Sequence, residues 1–137
     1  MRIFFDSSTL LKRYIEEAGS DQVRQKWIEA SEVIVSALCA PEVISAFVRL
    51  KREKKLNEET YRLLKNHFIL DMGQASVEAV DEETLRESIQ CLEKTGIKAS
   101  DAVHLATALR TDCELFLSAD VQQQKAARAM GLKVEVV

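Results

Sequence analysis

Strands and helices alternate along this sequence, and the alternation predicts an α/β fold: a three-layer α/β/α sandwich around a central parallel sheet. Three observations carry the prediction. Short apolar runs of strand length recur (RIFFD, EVIVS, ELFLS), and segments of helical period lie between them. A single Pro and four Gly leave little room for long irregular stretches. Parallel neighbours joined through helices then require right-handed crossovers.

Taken in order, Arg2–Asp6 is apolar enough for a strand buried on both faces. Ser7 and Ser8 offer N-cap hydroxyls for a helix carrying Leu10, Leu11 and Tyr14 on one side, and Gly19 stops it. Ser20 opens a helix to about Ala30 with Val23, Trp27 and Ala30 inward. Glu32–Ser36 is the second strand. Pro41 suits the first turn of a helix that runs through Val43, Ile44, Ala46, Phe47 and Leu50. Asn57 caps the next helix, Glu58 to about Leu70, and Gln74–Ala79 is a weaker third strand. Asp81 and Thr84 flank two glutamates at the start of a helix expected to point Leu85, Ile89 and Leu92 inward and to end at Gly96. Ser100 is expected to cap the helix DAVHLATALR, whose Ala102, Leu105, Ala106 and Leu109 form a compact packing face. Glu114–Ser118 is a strand. Asp120 with Gln123 three residues on matches a capping box, and that helix ends near Gly131 before a last strand, Lys133–Val136.

One domain over residues 1–137 is expected, because a chain near 150 residues buries roughly 68–70% of its unfolded surface and no linker, repeat or low-complexity run interrupts this one. No apolar stretch nears the roughly 20 residues that cross a bilayer, and the opening MRIFFDSSTLLKRY lacks the pattern of a secretory leader. Cys39, Cys91 and Cys113 are odd in number and lack C-x-x-C spacing. They fit neither a disulfide framework nor a zinc site, so a reducing, cytoplasmic setting is expected. The net charge of −3 argues against bulk attraction to nucleic acid or membrane but leaves room for local basic faces, such as Arg49, Lys51, Arg52, Lys54 and Lys55, or Lys12 with Arg13.

The acids carry the functional argument. Asp6 ends the first strand, Glu42 lies in the first helical turn after the second, and Asp120 follows ELFLS directly. In open parallel sheets, ligands bind outside the carboxyl ends of the strands, where these three fall. Asp101 joins them only if its helix starts at the same edge, which periodicity does not establish. Each acid alone reads equally as a helix-terminus carboxylate, worth typically 0.3–1 kcal/mol. Together they would be another matter. Two unit charges about 4 Å apart cost on the order of 4 kcal/mol at an effective dielectric of 20, so a quartet must hold protons or bind a cation. All-oxygen ligands favour Mg²⁺ or Mn²⁺, ions that activate water toward a phosphodiester.

At these residues the sequence resembles the PIN-domain family, and within it the VapC-like toxins of bacterial and archaeal toxin–antitoxin pairs. The resemblance rests on FFDSSTLLKRY, APEVISAFVRL, IKASDAVHLATAL, LFLSAD and AARAMGLKV in that order, and covers nearly the whole chain. It implies a metal-dependent endoribonuclease, commonly a homodimer, inhibited in the toxins by a small antitoxin. Carried over residue by residue, it implies Asp6, Glu42, Asp101 and Asp120 as the catalytic, metal-ligating quartet, with Ser8 and Ser118 in support. Ser8 reads equally well as a plain N-cap. Arg13, Arg49 and Lys51 are candidate holders of RNA phosphates because they lie close in sequence to the motifs. His104, one turn from Asp101, is expected to pack and hydrogen-bond as a structural residue. His67, Phe47, Trp27 and Tyr61 are assigned to core or interface.

Other functions compete with this reading. A freestanding PIN-domain RNA-processing nuclease would share the quartet, and a non-catalytic PIN-like binding module would keep the acids only as caps. Receiver domains and aspartate-nucleophile phosphatases also place an Asp after the first strand. Receivers pair it with a second acid where this chain has Phe5, and the phosphatases use Asp-x-Asp where position 8 is Ser.

Overall fold

The computed structural model describes residues 1–137. Its elements run β1 (Arg2–Phe5), α1 (Ser7–Tyr14), α2 (Ser20–Glu29), β2 (Glu32–Ser36), α3 (Cys39–Arg52), α4 (Glu58–Gln74), β3 (Ser76–Glu78), α5 (Glu82–Thr95), α6 (Ala99–Arg110), β4 (Leu115–Ser118), α7 (Val121–Ala129) and β5 (Val134–Val136). All pairings are parallel, and the order across the sheet is β3-β2-β1-β4-β5. The chain builds outward from β1 to β3, then crosses back to lay β4 on the other side of β1. That reversal opens a crevice at the carboxyl ends of β1 and β4.

Alternation along the strands sorts the core into two layers. Ile3, Phe5, Val33, Val35, Leu115 and Leu117 face one way and pack with Leu10, Tyr14, Val23, Val43, Phe47 and Phe68 from α1 to α4. Phe4, Ile34 and Phe116 face the other way, against Cys91, Ala102, Leu105, Ala106, Ala126 and Ala127 from α5 to α7. Phe4 and Phe116, directly paired in register, stack with centroids 5.3 Å apart. The sheet is thus covered on both sides, as the apolar strand runs require. No helix is long and apolar enough to cross a membrane.

Several local expectations are corrected. On α5, Leu85 and Ile89 face outward, while Thr84, Ser88 and Cys91 are buried. The neighbouring α6 presents alanines, so the two helices close over the stripe of small residues, and the larger residues turn out. Helix α6 begins at Ala99 with Lys98 in the N-cap position and no side-chain cap, rather than at a capping Ser100. Asp6, not Ser7 or Ser8, caps α1 by accepting from the Thr9 amide. The box at Asp120 is half formed: its Oδ1 accepts from the Gln122 and Gln123 amides, but the Gln123 side chain donates to the Asp101 carbonyl instead of returning to the cap.

Helix α4 runs past Leu70 to Gln74 because Asp71, in its last turn, is anchored to α1. The Asp71 carboxylate accepts from Arg13 at 2.8 and 3.2 Å and from the Tyr14 hydroxyl at 2.7 Å. His67 stands 3.5 Å away, and the Arg13 guanidinium also lies over the Trp27 ring at 4.3 Å. Burial alone would raise the Asp71 carboxyl. The hydrogen bonds of Arg13 and Tyr14 outweigh it and hold Asp71 below the usual aspartate range.

Candidate active site

Four elements deliver four carboxylates to one cavity. Asp6 follows β1, Glu42 lies in the first turn of α3, Asp101 in the first turn of α6, and Asp120 follows β4 as the cap of α7. All four line a cavity of about 170 Å³ together with Ser7, Ser8, Lys98 and His104, with no hydrophobic residue among them. The start of α6 therefore does lie at the edge where β1 and β4 end. Gln123, fully buried, helps hold it there by donating to the Asp101 backbone carbonyl at 2.9 Å.

Each acid is set differently. Asp6 is buried, and its Oδ1 accepts from the Ser8 hydroxyl at 2.7 Å and the Thr9 amide at 2.9 Å. Ser8 also accepts from the Ala119 amide at 3.2 Å, tying the ends of β1 and β4 together. It belongs to α1's first turn and does not cap the helix. Ser118 works on the backbone: its Oγ accepts from the Asp120 amide at 3.1 Å and shapes the turn that aims Asp120. Glu42 Oε1 accepts from Ser7 at 2.8 Å and lies 2.5 Å from His104 Nε2. A carboxylate only accepts, so the bridging proton sits on Nε2. Burial pushes the Glu42 carboxyl up, but the hydrogen bonds from His104 and Ser7, aided by the charge of Lys98, leave it below the usual glutamate range.

Asp101 is the exception. No hydrogen bond or ion pair of the fold reaches its carboxylate. Burial first of all, then repulsion from Asp120 and Asp6, holds it above the usual aspartate range, although Lys98 pulls the other way.

Sequence reasoning missed three residues of this cavity. His104 is buried against Phe4 and bonded to Glu42, with its Nδ1 lacking any partner, so it is part of the site and not a surface packer. The i, i+3 spacing from Asp101 was the available signal. Ser7 was read only as a cap, and Lys98 was not singled out; neither carries a local signature that points to the cavity. Of the residues proposed to hold phosphates, Arg13 is committed to Asp71 at the far end of α1. Lys51 pairs with Glu58 at 2.9 Å and lies over Tyr61. Arg49 is exposed, seven residues beyond Glu42 and so about 10 Å farther along α3.

The donor set suits a hard divalent cation. Asp6, Glu42 and Asp120 each engage one carboxylate oxygen within the fold and leave the other unengaged, and Asp101 leaves both. As the side chains stand, no three of them are gathered closely enough to hold a metal ion between them.

A PIN-domain family model matches residues 3–129. Among curated proteins, no sequence matches this chain. Among solved structures, the chain is similar to a toxin–antitoxin complex from Klebsiella pneumoniae, with a TM-score of 0.71 and 15% identity, covering 98% of this chain and 96% of the other. It is also similar to VapC20 of Mycobacterium tuberculosis, described as a sarcin-ricin loop cleaving toxin, with a TM-score of 0.70, 16% identity and 95% of each chain covered. The FitAcB structure from Neisseria gonorrhoeae gives a TM-score of 0.70 at 18% identity over 96% of this chain and 95% of that one. At such identities the likeness is one of fold.

Proposed function

The chain belongs to the PIN-domain family, and we propose that it is a divalent-metal-dependent endoribonuclease, the toxin of a toxin–antitoxin pair, acting in the cytoplasm. One observation carries this reading: four carboxylates from four separate elements line one polar cavity, and one of them, Asp101, has no partner in the fold. A fold that needed these acids only as caps would not leave a half-buried carboxylate unpaired beside two others.

In this reading Asp6, Glu42, Asp101 and Asp120 hold Mg²⁺ or Mn²⁺. Such an ion supplies Lewis acidity, acidifying water and drawing charge from a phosphoryl oxygen. The chain's own residues orient the ligands. Ser8 fixes one oxygen of Asp6, His104 and Ser7 fix one oxygen of Glu42, and Ser118 sets the turn that carries Asp120. The two cavity hydroxyls, Ser7 and Ser8, donate to Glu42 and Asp6 and in this reading serve to orient those carboxylates. Water, acidified by the ion, is the nucleophile of this reading, attacking the RNA phosphodiester with no protein-linked intermediate.

The toxin role draws support from the Klebsiella pneumoniae structure described as a toxin–antitoxin complex and from VapC20, described as a toxin. An antitoxin, or a second copy in a homodimer, needs apolar surface to cover, and exposed apolar residues stand on both helical layers, Leu63 and Leu70 on α4 and, separately, Leu85 and Ile89 on α5.

The deciding experiment incubates structured and unstructured RNA with the wild type and with Asp6→Asn, in Mg²⁺, in Mn²⁺ and in chelator. Cleavage is expected only with metal and only by the wild type. Wild-type preparations that leave both RNAs intact in either metal would refute the reading. Titration calorimetry with Mn²⁺ separates a non-catalytic module, which would give no metal-linked heat.

A further inference from the structure

We propose that RNA leaves the acidic cavity along a groove between the α5–α6 turn and the first half of α7, with Lys98, Lys94 and Lys125 on its phosphates. The proposal rests on the ribonuclease reading above and names the path of the strand.

The groove is made of three adjoining cavities. The acidic one shares Lys98, Asp101 and Asp120 with a larger neighbour of about 390 Å³. That neighbour in turn shares Thr95, Ile97 and Gln122 with a third cavity of about 270 Å³, which Lys94 and Lys125 also line. The middle cavity falls in the size range of small-ligand sites, which start at about 300 Å³, and so has room for one nucleotide. It begins at the carboxylates and is open to solvent.

The charges along it are arranged for a polyanion. Four carboxylates repel a phosphate, so a strand reaching them needs cations next to them. Lys98 borders both the acidic and the middle cavity, and Lys94 and Lys125 follow in the third. All three side chains are exposed, and none forms an ion pair within the fold. On the rival path, over the end of α3, Lys51 is engaged with Glu58, and Arg13, on α1, with Asp71, while the unpaired Arg49 and Arg52 lie about 10 Å or more along the helix from Glu42.

The middle cavity also has surfaces for a base. Half-buried Ile97 presents an apolar side, and the side-chain amide of exposed Gln122 makes no hydrogen bond within the fold. Phosphate contacts from the lysines position a single strand, and an apolar contact with an amide beside it can hold a base without strict sequence demand.

The test measures binding of a short fluorescein-labelled single-stranded RNA by anisotropy across a KCl series in Mg²⁺. All proteins carry Asp6→Asn, so that binding is read without cleavage, and Asn keeps the cap of α1. The triple variant Lys94→Ala/Lys98→Ala/Lys125→Ala is compared with Arg49→Ala/Lys51→Ala. Each phosphate contact contributes about 0.7 to the slope of log affinity against log salt for single strands, so the triple variant is expected to lose about 2 from the slope, and at least about tenfold in affinity at moderate salt. The α3 pair is expected to lose less than half as much. An unchanged slope in the triple variant, an equal or larger loss in the α3 pair, or no binding by the parent overturns the proposal. Cleavage by the wild type, run in parallel, reports on the ribonuclease reading by itself.

Discussion

Replacing Arg13 with Ala separates a structural cation from a substrate-binding one. Its guanidinium is 14% exposed and its partner Asp71 9% exposed, so the pair is largely out of water. Removing one member of a buried pair typically costs 3–5 kcal/mol, because the survivor keeps its charge without its counter-ion. Tyr14 and His67 still face Asp71, which favours the lower end, while the lost contact over Trp27 adds about 0.5–1 kcal/mol. A loss of about 3–4 kcal/mol is expected. At roughly 4 °C per kcal/mol, between the values for smaller and larger domains, the melting temperature should fall by about 12–16 °C.

The pH dependence gives a second readout. In the wild type, the Asp71 carboxyl lies below the ordinary aspartate range. Its ionised form therefore contributes stability above the unfolded pKa of about 3.9, and that contribution is lost as pH falls through the lower folded value. Without Arg13, burial dominates and the carboxyl moves up. The variant's deficit should then be full at neutral pH and shrink as pH falls from the variant's raised value, above the unfolded value of about 3.9, through the lowered value of the wild type. Urea unfolding followed by circular dichroism at several pH values measures both. A deficit under about 1 kcal/mol, or one that does not shrink in acid, would refute the assignment of Arg13 to the α1–α4 clamp. So would an unchanged stability accompanied by a reduced salt slope of RNA binding.

Three further outcomes are expected. Asp101→Asn should abolish metal-dependent cleavage yet raise the melting temperature in chelator, since the raised pKa of Asp101 means that its charge opposes folding increasingly as pH rises through that value; a lower melting temperature at neutral pH would count against the unpaired carboxylate. His104→Ala should weaken Mn²⁺ binding or cleavage by 10–100-fold, the usual effect of removing a group that orients a metal ligand, with Ser7→Ala milder; equal activity to wild type would return His104 to a packing role. Burial pushes the Cys39 thiol up to about 12 and those of Cys91 and Cys113 to about 11, so native protein should react slowly with a thiol reagent at pH 8 and rapidly once unfolded.

Much of the architecture was legible because it rests on local periodicity. The strand runs had to be buried on both faces, and the structure covers both sides of the sheet. The acids Asp6, Glu42 and Asp120 were placed at the carboxyl ends of strands by counting alone, and they line one cavity. Errors fell where a neighbour decided the outcome. Leu85 and Ile89 have the spacing of a core face, but the alanines of α6 accept a smaller stripe. Arg13 has the look of a free cation, but Asp71, distant in sequence, claims it.

By itself, then, the sequence determined the strand and helix content, the parallel α/β layering and the placing of Asp6, Glu42 and Asp120 just beyond the strand ends, since these depend on side-chain type and short-range spacing. Tertiary structure alone decided that α6 begins at the same edge as β1 and β4, that His104 and Ser7 hold Glu42, and that Lys98 joins the cavity. The reason is physical: a contact between groups far apart in the chain depends on how the helices pack over the sheet, and no local pattern records that.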